Sequence, residues 1–265
     1  MNFLGPKTKI ILGAYIYFFL VAFVCYAFKV HFTISTGLFM LLPAFVLMRL
    51  KPGIWKEVFL FSFSLGIPVG FYTQIIAERN FVWKYKPFLE FFQIKDIPLE
   101  ALFWYPTWFS LVISTYLYFF HDKLFSHKHN FVFKDLWSKH VKYFLFCSFI
   151  FLISCLLLNL NAYYTVFPYA YLSMISPVVL LSLFIFLFQK HNHLIKIFLP
   201  TVALLFLPMF LYDLIGVYSG QWTFPGEYIY VMDFGIAKLP FEEFFLWLWI
   251  WPASVIAYFE EFEGK

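Results

Sequence analysis

Charge is scarce in this chain. Of 265 residues only 13% are Asp, Glu, Lys or Arg, against about 25% in a soluble domain. Hydrophobic residues make up 63%, against the usual 45–50% or so, which leaves too few polar side chains to cover a globule. A soluble domain and a disordered chain are both excluded on that ground. Cysteine is scarce too. Cys25, Cys147 and Cys155 all fall inside apolar runs, form no CxxC and show no Cys/His ligand spacing, so a secreted disulfide scaffold is excluded. His127, His129, His191 and His193 lie in short loops without carboxylate company, which argues against a di-iron histidine box. There is no GxGxxG fingerprint, no P-loop, no Asp-rich magnesium–diphosphate motif and no mid-span lysine for a retinal. The net charge of +4 comes without any basic aromatic motif, so nucleic acid is not an expected partner.

What remains is apolar and aromatic. The charges collect in islands between apolar runs of about 18–23 residues, the length that crosses a bilayer. The runs are continuous, as from Val179 to Phe188, rather than alternating, so helices are expected and a β-barrel is not. The expected fold is an all-α, polytopic helical membrane protein with about eight spans. They lie near 10–28, 33–50, 57–76, 98–120, 141–160, 168–189, 194–216 and 239–259. The second is the weakest, because Pro43 sits inside it. With the N-terminus inside, 13 of the 19 Lys and Arg residues fall on that side and six on the other. The positive-inside rule then predicts a multi-pass protein of the cell membrane with both termini cytoplasmic.

The chain carries traces of an internal repeat. The run Gly66-Ile67-Pro68-Val69-Gly70-Phe71-Tyr72 compares with Phe206-Leu207-Pro208-Met209-Phe210-Leu211-Tyr212. Ile97-Pro98-Leu99-Glu100 compares with Leu239-Pro240-Phe241-Glu242, and Pro43 with Pro177. Trp83 and Trp222 lie between the second and third of these landmarks in each half. The pattern predicts two four-span units, 1–130 and 131–265. An even span number gives them one orientation, about a pseudo-two-fold axis along the membrane normal, with a shared site between them.

Acidic residues within or beside spans are costly and point to function. Asp213 falls at the end of the seventh expected span, and Glu242 and Glu243 open the eighth, all at the outer boundary. Helix capping alone would favour Glu in a first turn after Pro240. Yet neighbouring helical residues point about 100° apart, so one of the pair should face the bundle. Asp213, at a helix C-terminus, sits at the unfavourable end for a negative charge. The intervening stretch Gly216 to Phe224 is too apolar for a plain exposed loop and is expected to fold back over the bundle. Carboxyls held together in an apolar setting can keep a proton near neutral pH. Such a group can protonate a hydrocarbon double bond, and aromatic faces stabilise the resulting cation. In the first half Glu100 stands in the matching place, but Ala101 replaces the second Glu and Thr73 stands where Asp213 would be.

Taken together, Phe210-Leu211-Tyr212-Asp213, Gly220-Gln221-Trp222-Thr223-Phe224, Glu227-Tyr228 and Leu239-Pro240-Phe241-Glu242-Glu243-Phe244-Phe245 resemble the lycopene cyclase domain. This is the membrane-integral, heterodimeric or fused type of carotenoid cyclase. The resemblance covers the stretch 194–259 well and the first half only faintly. Asp213 to Trp222 keeps the family spacing. Tyr228 to Pro240 is about two residues longer than usual, and each half has an extra leading span. The resemblance implies redox-neutral, acid-initiated cyclisation of a linear isoprenoid end group to a β-type ring, without cofactor. It implies Glu242 or Glu243 as the acid, Asp213 as partner or base and Glu100 as the first-half counterpart. Trp222, Tyr228, Phe224, Trp247 and Pro240 would form the pocket wall. The implied partners are the lipid bilayer, a carotenoid-type substrate and other enzymes of the carotenoid pathway. Three alternatives stay open: a hydratase, a cyclase of a shorter terpene, or a non-catalytic isoprenoid-binding or assembly subunit with the same fold.

Overall fold

A computed structural model of the chain describes residues 5–86, 93–94, 97–120, 169–172, 174–175 and 192–263. The expected span 141–160 and the linker 121–140 lie outside these residues, as does most of the expected span 168–189. Cys147, Cys155 and Pro177 lie outside them as well.

The described chain is mostly helical. Helix α1 is Pro6–Phe28, α2 Phe32–Leu50, α3 Trp55–Arg79, α4 Leu99–Phe119 and α5 Asn192–Tyr218. Helix α6 runs from 241 to 263. Four helical segments are long and apolar enough to cross a membrane: α1, α2, α3 and Phe198–Tyr218 of α5. Helix α4 has spanning length, about 30 Å at 1.5 Å per residue, but is interrupted by Trp, Tyr, Ser and Thr. Its position explains this composition. It is the central helix, packed against α2, α3, α5 and α6, and 16 of its residues are buried. A helix surrounded by protein need not be as apolar as one facing lipid. Helix α1 is the opposite case, with Leu12, Ile16, Phe19, Leu20 and Phe23 all exposed.

Prolines leave legible marks. A proline cannot donate the helical hydrogen bond and crowds the preceding turn. Pro43 sits just after a π-helical stretch, Gly37–Leu41, which widens the backbone there, so α2 continues through the position that weakened its prediction. Pro252 follows a second π-helical stretch, Glu243–Ile250, in the same way. On α3, Gly66 and Gly70 form a GxxxG face. A Cβ on Gly66 would lie 2.7 Å from the Pro106 nitrogen, and one on Gly70 would lie 3.1 Å from the Tyr105 ring. The two glycines are what lets α4 approach α3 this closely.

Small antiparallel ladders occur where only helices were expected. Strand β1 (Lys84–Tyr85) pairs with β4 (Trp222–Thr223), β2 (Gln93–Ile94) with β3 (Ile97–Pro98), and β5 (Val231–Asp233) with β6 (Lys238–Pro240). All lie in the connections at one end of the bundle, where α2, α4 and α6 begin and α3 and α5 end.

Candidate functional site

The segment after α5 turns by a Schellman motif. Gly220 takes φ +67°, Gln221 N–H donates to Gly216 O at 2.9 Å and Gly220 N–H donates to Val217 O at 3.0 Å. This reversal folds the chain back over the bundle and lays the Trp222 indole on Gly216, where a Cβ would meet the ring at 1.9 Å. Gln221 anchors the turn. Its side-chain amide donates to Val30 O at 2.5 Å and accepts from Ser35 Oγ at 2.8 Å. Pairing of β4 with β1 then brings Trp222 beside Tyr85.

Below this lid lies a cavity enclosing about 360 Å³ of empty space, lined by twelve residues. Ten of the twelve are aromatic, and the other two are Asp213 and Glu243. The wall is fixed by its own hydrogen bonds. Gln74 holds two members, accepting from Trp83 Nε1 at 3.1 Å and donating to Tyr85 Oη at 3.1 Å. Tyr212 Oη accepts from Trp104 Nε1 at 2.9 Å and shares a proton with Thr36 Oγ1 at 2.7 Å. Trp247 stacks near Trp104 at 4.9 Å between centroids and on Trp251 at 4.9 Å. With these polar edges engaged, the wall presents mostly ring surface. Burial pushes the Tyr85 and Tyr228 hydroxyls up, so both stay neutral.

The two cavity carboxyls differ in surroundings. Tyr171 Oη, buried in the helical stretch 170–172, donates to Glu243 Oε2. Asp213 is 3% exposed, and its Oδ2 is buried without a hydrogen-bond partner among the described residues. Asp213 also lies further inside its helix than the sequence suggested. Helix α5 continues to Tyr218, so Asp213 is more than one turn from the end. The macrodipole fades within the last turn, and burial takes its place as the reason this carboxyl is unusual.

Of the residues expected at a site, Asp213, Glu243, Trp222, Phe224 and Trp247 line the cavity. Glu242 does not. It is fully buried next door and its Oε1 accepts the Ile229 N–H at 2.7 Å, pinning the root of the β5–β6 hairpin. Tyr228 stands behind the wall, donating to Val82 O and packing against Phe224 and Tyr171. Pro240 ends β6 opposite Val231 and is outside the lining. Glu100, in the first turn of α4, accepts from Thr33 Oγ1 at 2.7 Å and is also outside it.

Sequence reasoning missed Tyr171, Trp104, Tyr105, Tyr85 and Phe32 as cavity residues. One signal was available for Tyr105. It stands to Trp247 as Glu100 stands to Glu242, at the same offset along the chain, and both aromatic residues line the cavity. Trp83 and Trp222, already paired by the repeat, both line it too. Among the described residues no group of three or more His, Cys, Asp or Glu is placed to hold a metal ion. In comparisons with known proteins, no family model, no curated protein and no solved structure matches this chain.

Proposed function

We propose that the chain is a membrane-embedded isoprenoid cyclase of the lycopene cyclase type, working by proton addition and proton loss. One observation carries the reading: a buried cavity whose lining is ten aromatic rings and two carboxyls. Rings stabilise a passing cation through their faces and offer it no strong nucleophile. Carboxyls can start and end the reaction as acid and base.

Their surroundings separate the roles. A hydroxyl donating to a carboxylate favours its ionised form, so Glu243, held by Tyr171, serves as the base. Asp213, with a bare oxygen in an apolar site, serves as the acid. The Asp213 proton adds to the terminal double bond of a linear isoprenoid end group and leaves a tertiary cation. The electron pair of a neighbouring double bond closes the ring as a new carbon–carbon bond. Glu243 then takes a ring proton and a β-type double bond forms. One proton enters and one leaves, so the product is an isomer of the substrate and no oxidant is consumed.

The same reading places the cavity on a pseudo-two-fold axis between two four-span halves, with both termini cytoplasmic. The β1–β4 register supports it. Lys84 pairs with Thr223, and their offset along the chain equals that between Trp83 and Trp222. A two-fold axis along the membrane normal would reverse an in-plane strand, so equivalent strands meeting on it run antiparallel, as these do. The first half, with Thr73 and Ala101, would then frame the cavity while the second supplies the acids. Expression in a lycopene-accumulating bacterial host tests the function. A monocyclic or bicyclic carotene is expected. Unchanged lycopene, with the chain in the membrane and neither a shorter isoprenoid nor a hydrated product formed, would contradict it.

A further inference from the structure

A second cavity lies at the opposite end of the bundle and has no part in the carboxyl site. It is a groove of about 1110 Å³ between α1, α2, α4 and α5, walled by residues such as Ile10, Ala14, Leu47, Leu111, Phe119 and Leu205. Its polar atoms are few and occupied. Tyr15 Oη donates to Leu204 O at 3.2 Å and Tyr17 Oη to Leu38 O at 2.6 Å. The groove does not continue into the aromatic cavity. Phe39 and Met40 are fully buried between the two, with Phe39 stacked on Phe18 and edge-on to Tyr212. It opens sideways instead, where Leu42, Val46 and Leu50 are exposed on the surface that faces lipid.

Cations stand at its mouth. Lys7, one turn before Ile10, donates to Tyr118 O at 3.2 Å and Phe119 O at 3.3 Å. Lys51, next to Leu50, donates to Leu117 O at 2.9 Å. The last carbonyls of α4 thus hold two ammonium groups beside the wall residue Phe119, with exposed Arg49 close by in sequence. An ammonium has three donors, so contacts to carbonyls and to a phosphate are compatible. Of the acids at this end, Glu57 is buried at the start of α3, and Glu260 faces another side of α4, where it accepts from Tyr116.

We infer that this groove is a binding site for an anionic phospholipid, with one acyl chain between α1, α2, α4 and α5 and the phosphate against Lys7 and Lys51. Charge complementarity selects this occupant. A hydrocarbon slot rimmed by cations at a membrane boundary matches an amphiphile with an anionic head, as basic pockets between spans do in general. A neutral isoprenoid would make no use of the rim. The site is independent of the cyclase reading, and its test reads lipid retention rather than turnover.

Full-length protein in mild detergent is incubated with dioleoyl phosphatidylglycerol or dioleoyl phosphatidylcholine micelles, and retained lipid is read by native mass spectrometry. Retention of phosphatidylglycerol is expected to exceed that of phosphatidylcholine by about tenfold, a 1.4 kcal/mol preference. Lys7→Gln with Lys51→Gln should bring the two lipids level. Gly13 lines the groove, and a Cβ there meets no atom within 4 Å, so Gly13→Phe should fill the space and release both lipids. Equal retention by the unaltered protein, or unchanged retention in either variant, would overturn the assignment. Displacement of phosphatidylglycerol by squalene would overturn it as well and give the groove to a neutral hydrocarbon.

Discussion

Gly216→Ala separates positioning from stability in this fold. The added methyl would lie 1.9 Å from Trp222 Cη2 and 2.3 Å from two further ring carbons, against an ordinary contact of 3.4 Å or more. The indole must therefore move by well over an ångström. It is boxed by Tyr212 at 5.0 Å and Phe32 at 5.8 Å between centroids, so the shift carries into the cavity wall. Two stability effects oppose each other. Ala is better than Gly inside a helix by about 1 kcal/mol, and overpacking costs about 1–3 kcal/mol, so the net loss is about 2 kcal/mol at most. Activity has no such offset. A misplacement of about 1 Å at a reacting centre costs about a hundredfold. The expected result is a variant that reaches the membrane with a melting temperature within a few degrees of the parent and turns over about a hundredfold more slowly. Gly13→Ala, whose Cβ meets nothing, is the matched control and should leave turnover unchanged. Gly216→Ala with parental turnover would refute the claim that the Trp222 position matters.

The neighbouring glutamates should behave differently. Glu243→Gln removes a cavity carboxyl and should slow conversion by about 10²–10⁴-fold, whereas Glu242→Gln keeps an oxygen for the Ile229 N–H and should stay within a few-fold; equal losses in pigment conversion would sink the distinction. Tyr171→Phe keeps the ring but removes the donor to Glu243. A hydrogen bond to a charged group contributes about 1.5–3 kcal/mol, so turnover should fall by about 10–150-fold without loss of folded protein in a thermal melt. Gly66→Leu drives a side chain into the Pro106 backbone, and a thermal melt in detergent should show the lowest midpoint of these variants; an unshifted midpoint would refute the close α3–α4 contact.

Much of this fold was legible because its rule is simple: long apolar runs become helices. Helices α1, α2, α3 and α5 lie close to the expected spans, with ends shifted by a few residues. Helix α2 survived Pro43 through a π-helical adjustment that no composition rule encodes. The ladders were not legible, because strands of two or three residues depend on partners far away along the chain, as β1 and β4 do. At the site, the 100° rule required one of Glu242 and Glu243 to face the bundle. Both are buried, and only the cavity separates them. Tyr171 was invisible for a different reason. In sequence it is one Tyr in an apolar segment, and its partner Glu243 lies 72 residues away. Glu100 kept the helix-start position of its counterpart and found a local role, as acceptor for Thr33.

The central claim is that Asp213 and Glu243 initiate and end a cyclisation in the aromatic cavity. The most direct measurement is pigment analysis of a lycopene-accumulating host expressing the parent chain and Asp213→Asn at matched membrane levels. The account predicts ring-containing carotene from the parent and unchanged lycopene from the variant. Equal cyclic product from both would contradict it.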